Sequence, residues 1–231
     1  FFGGCNLRCC FCQNFDIAHL QEGCIELTAE ELAEQFLHIQ NDFGCQNLNV
    51  VTPTPQIAVI LEALMIAASR DLHLPLVWNC GGFESLEALS ILDGVVDIYM
   101  PDFKIWDEEP AAKVLAGAAT YPSVTRDAIK EMQRQVGDLV IDSHIGVATK
   151  GLLIRHLVMP NDFARSEKIL EWIATEVSPT AYVNVMAQYR PCFKATEIEE
   201  IARRVSRTEM KQVLTWAREH TQLHLDCDQT F

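Results

Sequence analysis

Short apolar runs alternate along the chain with stretches whose apolar residues recur every three or four positions. Residues 47–51 read as a strand that ends in Thr52, Pro53, Thr54 and Pro55. A helix follows, with Ile57, Ile60, Leu61, Leu64 and Ala68 on one face at amphipathic spacing. Residues 74–78 predict the next strand, closed by Asn79, Cys80, Gly81 and Gly82, and Ser85 then caps a short helix to Leu92. Residues 95–100 predict a strand ending in Pro101, Asp102, Phe103 and Lys104. Residues 152–158 predict another, followed by a helix carrying Ile169, Leu170, Ile173 and Val177. Residues 181–186 read as the last strand. Two helices close the chain, one with Ile198, Ile201, Ala202 and Val205, the other with Met210, Val213, Leu214 and Ala217. Near the start, Thr28 and Glu31 form a capping box that opens a helix with Leu32, Phe36, Ile39 and Phe43 inward. Residues 105–150 are less regular, with a helix expected near 124–135 and an extended piece at 138–141.

Phe1 and Phe2 read as the stub of a first strand, which makes about six β/α units. Such alternation favours parallel strands with crossover helices. A doubly wound sheet and a complete or partial barrel both satisfy it. The expected organisation is α/β: about six parallel units, (β/α)6, with a truncated first strand, one domain over residues 1–231, incomplete at its N-terminus. In either architecture chemistry gathers where strands end. The polar candidates do stand there: the cysteine cluster, Thr52 and Thr54, Asn79, Asp102 and Lys104, and Gln188, with Arg155 inside its strand.

Charge narrows the partners. Lys and Arg number 18 against 32 Asp and Glu, a net −14. Binding nucleic acid requires a basic footprint, so neither DNA nor RNA is an expected partner. Anionic membrane surfaces are disfavoured for the same reason. The longest apolar stretch, residues 57–68, is interrupted by Glu62 and falls short of a membrane span.

Nine cysteines are present, four of them (Cys5, Cys9, Cys10 and Cys12) within eight residues. A secreted disulfide scaffold is smaller and spreads its cysteines, so the clustering points to metal or redox chemistry in a reducing cytoplasm. Cys24, Cys45, Cys80, Cys192 and Cys227 are expected as buried small hydrophobes. The spacing Cys5-x3-Cys9-x2-Cys12 places three soft thiolates on one short loop. Three thiolates can hold three irons of a cubane and leave the fourth open. Zinc is the alternative, with His19 or Cys24 as a poorly spaced fourth ligand. The other triple, Cys5, Cys10 and Cys12, crowds two thiolates across one residue.

This segment resembles the radical S-adenosylmethionine superfamily, marked by Cys-x3-Cys-x2-Cys with an aromatic, here Phe11, before the third cysteine. Residues 2–9, 98–104, 151–160 and 182–189 further resemble the pyruvate formate-lyase activating enzyme-like proteins. The resemblance implies the radical SAM type of partial barrel and a [4Fe–4S] cluster on Cys5, Cys9 and Cys12. It implies reductive cleavage of S-adenosylmethionine to a 5′-deoxyadenosyl radical that abstracts a hydrogen atom. It assigns cofactor contacts to Asn79, Asp102, Lys104, Arg155 and Gln188, with Tyr189 as packing. It implies a reductant such as flavodoxin or ferredoxin. The expected target is a glycine of a partner glycyl-radical enzyme, another protein side chain or a small molecule. A non-catalytic iron–sulfur or zinc module is the reading from a different class, and Lys104 and Arg155 discriminate against it. Many such proteins carry Gly-Gly-Glu after the second strand. The corresponding residues here, 51–56, offer no carboxylate, which leaves the Thr52 and Thr54 hydroxyls or backbone carbonyls.

Overall fold

The computed structural model describes residues 1–226. Its strands are β1 (Leu48–Val51), β2 (Leu76–Cys80), β3 (Ile98–Pro101), β4 (Val140–Ile141), β5 (Ala148–Leu157), β6 (Tyr182–Met186) and β7 (His224–Asp226). Its α-helices are α1 (Ala29–Asn41), α2 (Ile57–Ala68), α3 (Leu86–Leu92), α4 (Glu108–Val114), α5 (Tyr121–Val136), α6 (Ser166–Trp172) and α7 (Arg207–His220).

Six strands pair in parallel in the order β1-β2-β3-β5-β6-β7, and β4 pairs antiparallel with β5. Every neighbour follows in chain order, so the sheet never reverses direction of travel. A doubly wound sheet needs such a reversal. With right-handed crossovers the helices fall on one face, and the sheet curls as a barrel that stays open between β1 and β7. The C-termini of the six parallel strands point to one end, which is where the site is built.

Local chemistry explains most boundaries. Thr28 accepts from the Glu31 amide at 3.2 Å, and Glu31 accepts from the Thr28 amide at 2.8 Å, completing the capping box of α1. Ser85 accepts from the Ala88 amide at 3.1 Å and opens α3. In α2 the buried stripe is Ile60, Ala63 and Ala67, while Ala68 is exposed. The helix is apolar nearly all round, so hydropathy leaves its inward face undecided; the two alanines let α1 approach closely.

Several expectations are corrected. Residues 1–2 form no strand: Phe2 donates one backbone bond to Val51 O at 3.0 Å before the turn at Gly3 and Gly4. The helix expected over residues 198–205 is a pair of short 3₁₀ turns, Phe193–Glu197 and Glu199–Ile201. Ile198 is extended between them, and the Ile201 carbonyl accepts from the buried Tyr189 hydroxyl at 2.8 Å. Phe43 lies beyond the end of α1 and is exposed. Of the scattered cysteines only Cys80 is buried; Cys24 and Cys45 sit on exposed loops, Cys192 is half-buried, and Cys227 lies outside the described residues.

Gly151 shows how tightly β5 meets the segment before β4. Its φ is +114°, and a Cβ there would stand 2.3 Å from the Asp138 carbonyl oxygen. Gly151→Ala is expected to cost roughly 3 kcal/mol from strain plus overpacking. A denaturant melt checks this; an unchanged midpoint would show that the contact is relaxed.

Candidate functional site

The loop of residues 5–12 lies across the C-terminal ends of the strands. Leu7 anchors it, packed so closely on Gly81 that a Cβ at that glycine would stand 2.9 Å from Leu7 Cδ1. Phe11 is buried with its ring 6.1 Å from that of Tyr189. Cys10 is tied by its backbone: its amide donates to Val114 O at 2.8 Å, and its carbonyl accepts from the Lys194 amide at 2.9 Å. Cys5, Cys9 and Cys12 line a cavity of about 180 Å³, and Cys10 does not.

The three thiols share one electrostatic environment. Burial pushes the Cys9 thiol up to about 12; the Lys104 ammonium pulls it down, and Cys5 and Cys12 push it further up. Burial also raises Cys12, opposed by a backbone hydrogen bond and by Lys104. Burial thus favours the protonated form of free Cys9 and Cys12, whereas a bound metal deprotonates its thiol ligands. Among the described residues, no three His, Cys, Asp or Glu side chains converge on a single-ion site. Tetrahedral zinc requires that convergence. In a cubane each thiolate takes its own iron, so three thiols that line one cavity without converging on one point suit a cluster.

The facing wall is charged. Lys104 forms an ion pair with Asp102, and both side chains are largely buried. Burial works against the Asp102 carboxylate, but Lys104 and Arg155 outweigh it and hold its pKa below the ordinary range. Burial likewise opposes the Lys104 charge, and Asp102 and Cys9 overcome it, holding its pKa above the usual value. Asp102 bridges to Arg155 in the sheet, which sets Arg155 Nε 3.6 Å from Asp102 Oδ1. Arg155 Nη1 donates to Asn79 Oδ1 at 3.1 Å. Asp102 Oδ1 is buried on the cavity wall without a hydrogen-bond partner. A buried carboxylate oxygen left unmatched beside two cations fits a wall made to receive a charged, zwitterionic ligand.

The candidates expected from the sequence therefore meet in one place: Asn79, Asp102, Lys104, Arg155 and Gln188 all line the cavity with the three thiols. Tyr189 is packing, its hydroxyl spent on Ile201. Thr52 also lines the cavity, at φ +54°. That conformation is strained for a β-branched residue and marks a constrained position. Its hydroxyl reaches Val51 O at 2.7 Å. Thr54 is turned elsewhere and donates to Glu84 at 2.8 Å. A carboxyl thus lies behind that turn, from the loop after β2, but Glu84 does not line the cavity, and burial raises its pKa.

Three supporting residues escaped the sequence reading. The Tyr121 hydroxyl accepts from the Lys104 amide at 3.0 Å and lies 3.0 Å from Gly81 O and 2.9 Å from Asp102 O. It fastens the loops after β2 and β3 together. Gln13 donates to Gln188 O at 3.4 Å across the rim. His156 is fully buried between Phe103 O at 2.8 Å and Ser166 Oγ at 2.9 Å. A carbonyl only accepts, so Nδ1 carries the proton and Nε2 accepts from Ser166. No spacing betrays these residues; each acts on backbone that is distant in sequence.

Burial pushes the His156 pKa below its ordinary value of 6.5. The folded state thus binds the proton more weakly than the unfolded chain. Stability is complete above about 6.5 and falls as pH drops below it. His156→Gln is expected to flatten that acidic decline, measured as Tm between pH 7 and pH 5; an equal decline would clear His156 of the effect.

The radical SAM superfamily model matches residues 1–173 of the chain. The chain belongs to the radical SAM superfamily. Members of this superfamily bind a [4Fe–4S] cluster and S-adenosylmethionine, and these are the cofactors of this radical SAM chain. It is 34% identical over 229 residues to the uncharacterized protein MJ0674 of Methanocaldococcus jannaschii, covering 95% of this chain and 61% of that protein. The chain therefore spans less than two thirds of that relative's length. Its fold is similar to that of HydG, a maturase of the [FeFe]-hydrogenase, with TM-score 0.64 and 15% identity over 97% of this chain and 49% of HydG. It is similar as well to SuiB of Streptococcus suis bound to S-adenosylmethionine, with TM-score 0.63 and 11% identity over 97% of this chain and 48% of SuiB. No helix among the described residues is long and apolar enough to cross a membrane.

Proposed function

We propose that this radical SAM chain holds its [4Fe–4S] cluster on Cys5, Cys9 and Cys12 and binds S-adenosylmethionine against Asn79, Asp102, Lys104, Arg155 and Gln188. The observation that carries the reading is the shared cavity, lined by three thiols and by a buried Asp–Lys–Arg group, with Cys10 outside it. When bound, a reduced cluster would supply one electron to the sulfonium of S-adenosylmethionine, the chemistry that yields methionine and a 5′-deoxyadenosyl radical able to take a hydrogen atom from a substrate.

The chain's own residues bind, orient and exclude water. Lys104 offers a buried ammonium to the methionine carboxylate as a charge-assisted hydrogen bond. Asp102 fixes Lys104 on one oxygen and stands beside Arg155 on the other. Asn79 orients the Arg155 guanidinium. Leu7, Phe11, Leu157 and Met186 keep the floor of the cavity apolar. Gln188, held through its carbonyl by Gln13, would contact the adenine from the cavity lining. A plain electron carrier needs neither Lys104 nor Arg155, which disfavours the binding-module reading.

A low-potential carrier such as flavodoxin or ferredoxin completes the electron supply in a reducing cytoplasm. Neither the cavity residues nor the relatives support a glycine of a partner protein as the target, so the proposal stops at hydrogen-atom abstraction. Anaerobic reconstitution tests the ligand set: about four irons and four sulfides per chain are expected. Stoichiometric zinc without sulfide would overturn it.

A further inference from the structure

Glu84 is a buried carboxyl outside the cavity. It is 2% exposed, and among the described residues it forms no ion pair. Its place follows from the loop after β2. Gly82 turns that loop at φ +79°, packed so closely that a side chain there would run into the Asp102 carbonyl. Phe83 then stacks on Tyr121 with ring centres 6.0 Å apart, and Ser85 opens α3. Glu84, between them, turns to the segment after β1. Its Oε2 accepts from the Thr54 hydroxyl at 2.8 Å, and its Oε1 is buried without a hydrogen-bond partner. The Asn6 and Cys80 side chains also bear on the carboxyl.

The turn that Glu84 meets is stiff and strained. Pro53 and Pro55 fix φ on either side of Thr54. Thr52, just before them, stands at φ +54°, a left-handed conformation that a β-branched residue adopts under constraint. Such strain persists where several contacts over-determine it. The Thr52 amide donates to Asn79 O at 2.9 Å, and its hydroxyl donates to Val51 O at 2.7 Å. The Thr54–Glu84 bond is a third contact, made across 30 positions of the chain. Thr52 lines the cavity, whereas Thr54 and Glu84 do not. Glu84 therefore reaches the cavity wall through a rigid turn. Next to it, Phe83 O accepts from Asn6 Nδ2 at 2.6 Å, so the same short segment also braces the cluster loop.

We propose that Glu84 is a positioning residue that holds the Thr52 turn against the cavity, and that affinity for S-adenosylmethionine depends on it through Thr54. The proposal rests on the cofactor assignment above. A buried carboxylate without a cation is unfavourable, and burial raises the Glu84 pKa, which favours the neutral acid. A neutral acid accepts from Thr54 on one oxygen. Glutamine has the same shape and offers the same acceptor.

Calorimetric titration of S-adenosylmethionine into the oxidised, reconstituted chain reads affinity without turnover. Glu84→Leu and Thr54→Val are each expected to weaken binding about tenfold, the size of one lost hydrogen bond. The double variant is expected to bind no more weakly than either, because both changes remove the same bond. Glu84→Gln is expected to bind as the wild type does. In 5′-deoxyadenosine release with dithionite, Thr54→Val is expected to raise KM for S-adenosylmethionine while kcat and iron content hold. Backbone amide exchange, read by mass spectrometry on the ligand-free chain, is expected to quicken over residues 52–56 in Thr54→Val and to stay unchanged in Glu84→Gln. Should Glu84→Leu fail to fold, Thr54→Val breaks the same bond from its other end. Additive losses in the double variant, or wild-type affinity and exchange in Thr54→Val, would overturn the positioning role. A wild-type chain that carries its cluster yet binds no S-adenosylmethionine would instead sink the cofactor assignment, with exchange over residues 52–56 still deciding whether Glu84 holds the turn.

Discussion

Cys12→Ala is expected to abolish iron–sulfur loading, while Cys10→Ala leaves it intact. The two residues lie two positions apart and have the same side chain, so spacing alone argues weakly between them. The fold separates them. Cys12 lines the cavity with Cys5 and Cys9, whereas Cys10 is fixed by backbone bonds to Val114 and Lys194, and its thiol bears on Tyr189. Iron and sulfide content after anaerobic reconstitution, with the charge-transfer absorption, reads the outcome. Equal loss in the two variants would show that the loop rearranges on metal binding.

The second large effect concerns the opposite wall. Lys104→Met is expected to weaken S-adenosylmethionine binding about 10- to 100-fold, matching ~1.5–3 kcal/mol for a hydrogen bond between charged groups. Its stability cost is smaller, because Arg155 still stands 3.6 Å from Asp102. Asp102→Ala behaves differently. It strands a buried ammonium, which costs about 3–5 kcal/mol, so stability falls along with affinity. Calorimetric titration and denaturant melts on the same proteins separate the two. If both variants lost affinity alone, the pair would be less buried than the structure has it.

The parallel β/α alternation was legible in the sequence because most strands are short apolar runs and α1 and α3 open on the caps Thr28 and Ser85. The direction of winding was not, since strand order depends on which neighbours pair. β7 was missed: three residues, two of them polar, give no alternation to read. The thiol trio that lines the cavity was legible because its members are neighbours in sequence. The facing wall was located by resemblance, and its geometry came from folding: Asp102 and Arg155 are 53 positions apart and meet only through sheet register. Tyr121, His156 and Glu84 were illegible, since each reaches a partner on a distant segment and carries no motif of its own.

The most direct measurement is the release of 5′-deoxyadenosine. Anaerobically reconstituted chain, reduced with dithionite and given S-adenosylmethionine, is expected to form 5′-deoxyadenosine and methionine in equal amounts, and Cys12→Ala to form neither. A wild-type chain that carries a full, reducible cluster yet releases no 5′-deoxyadenosine would contradict the account.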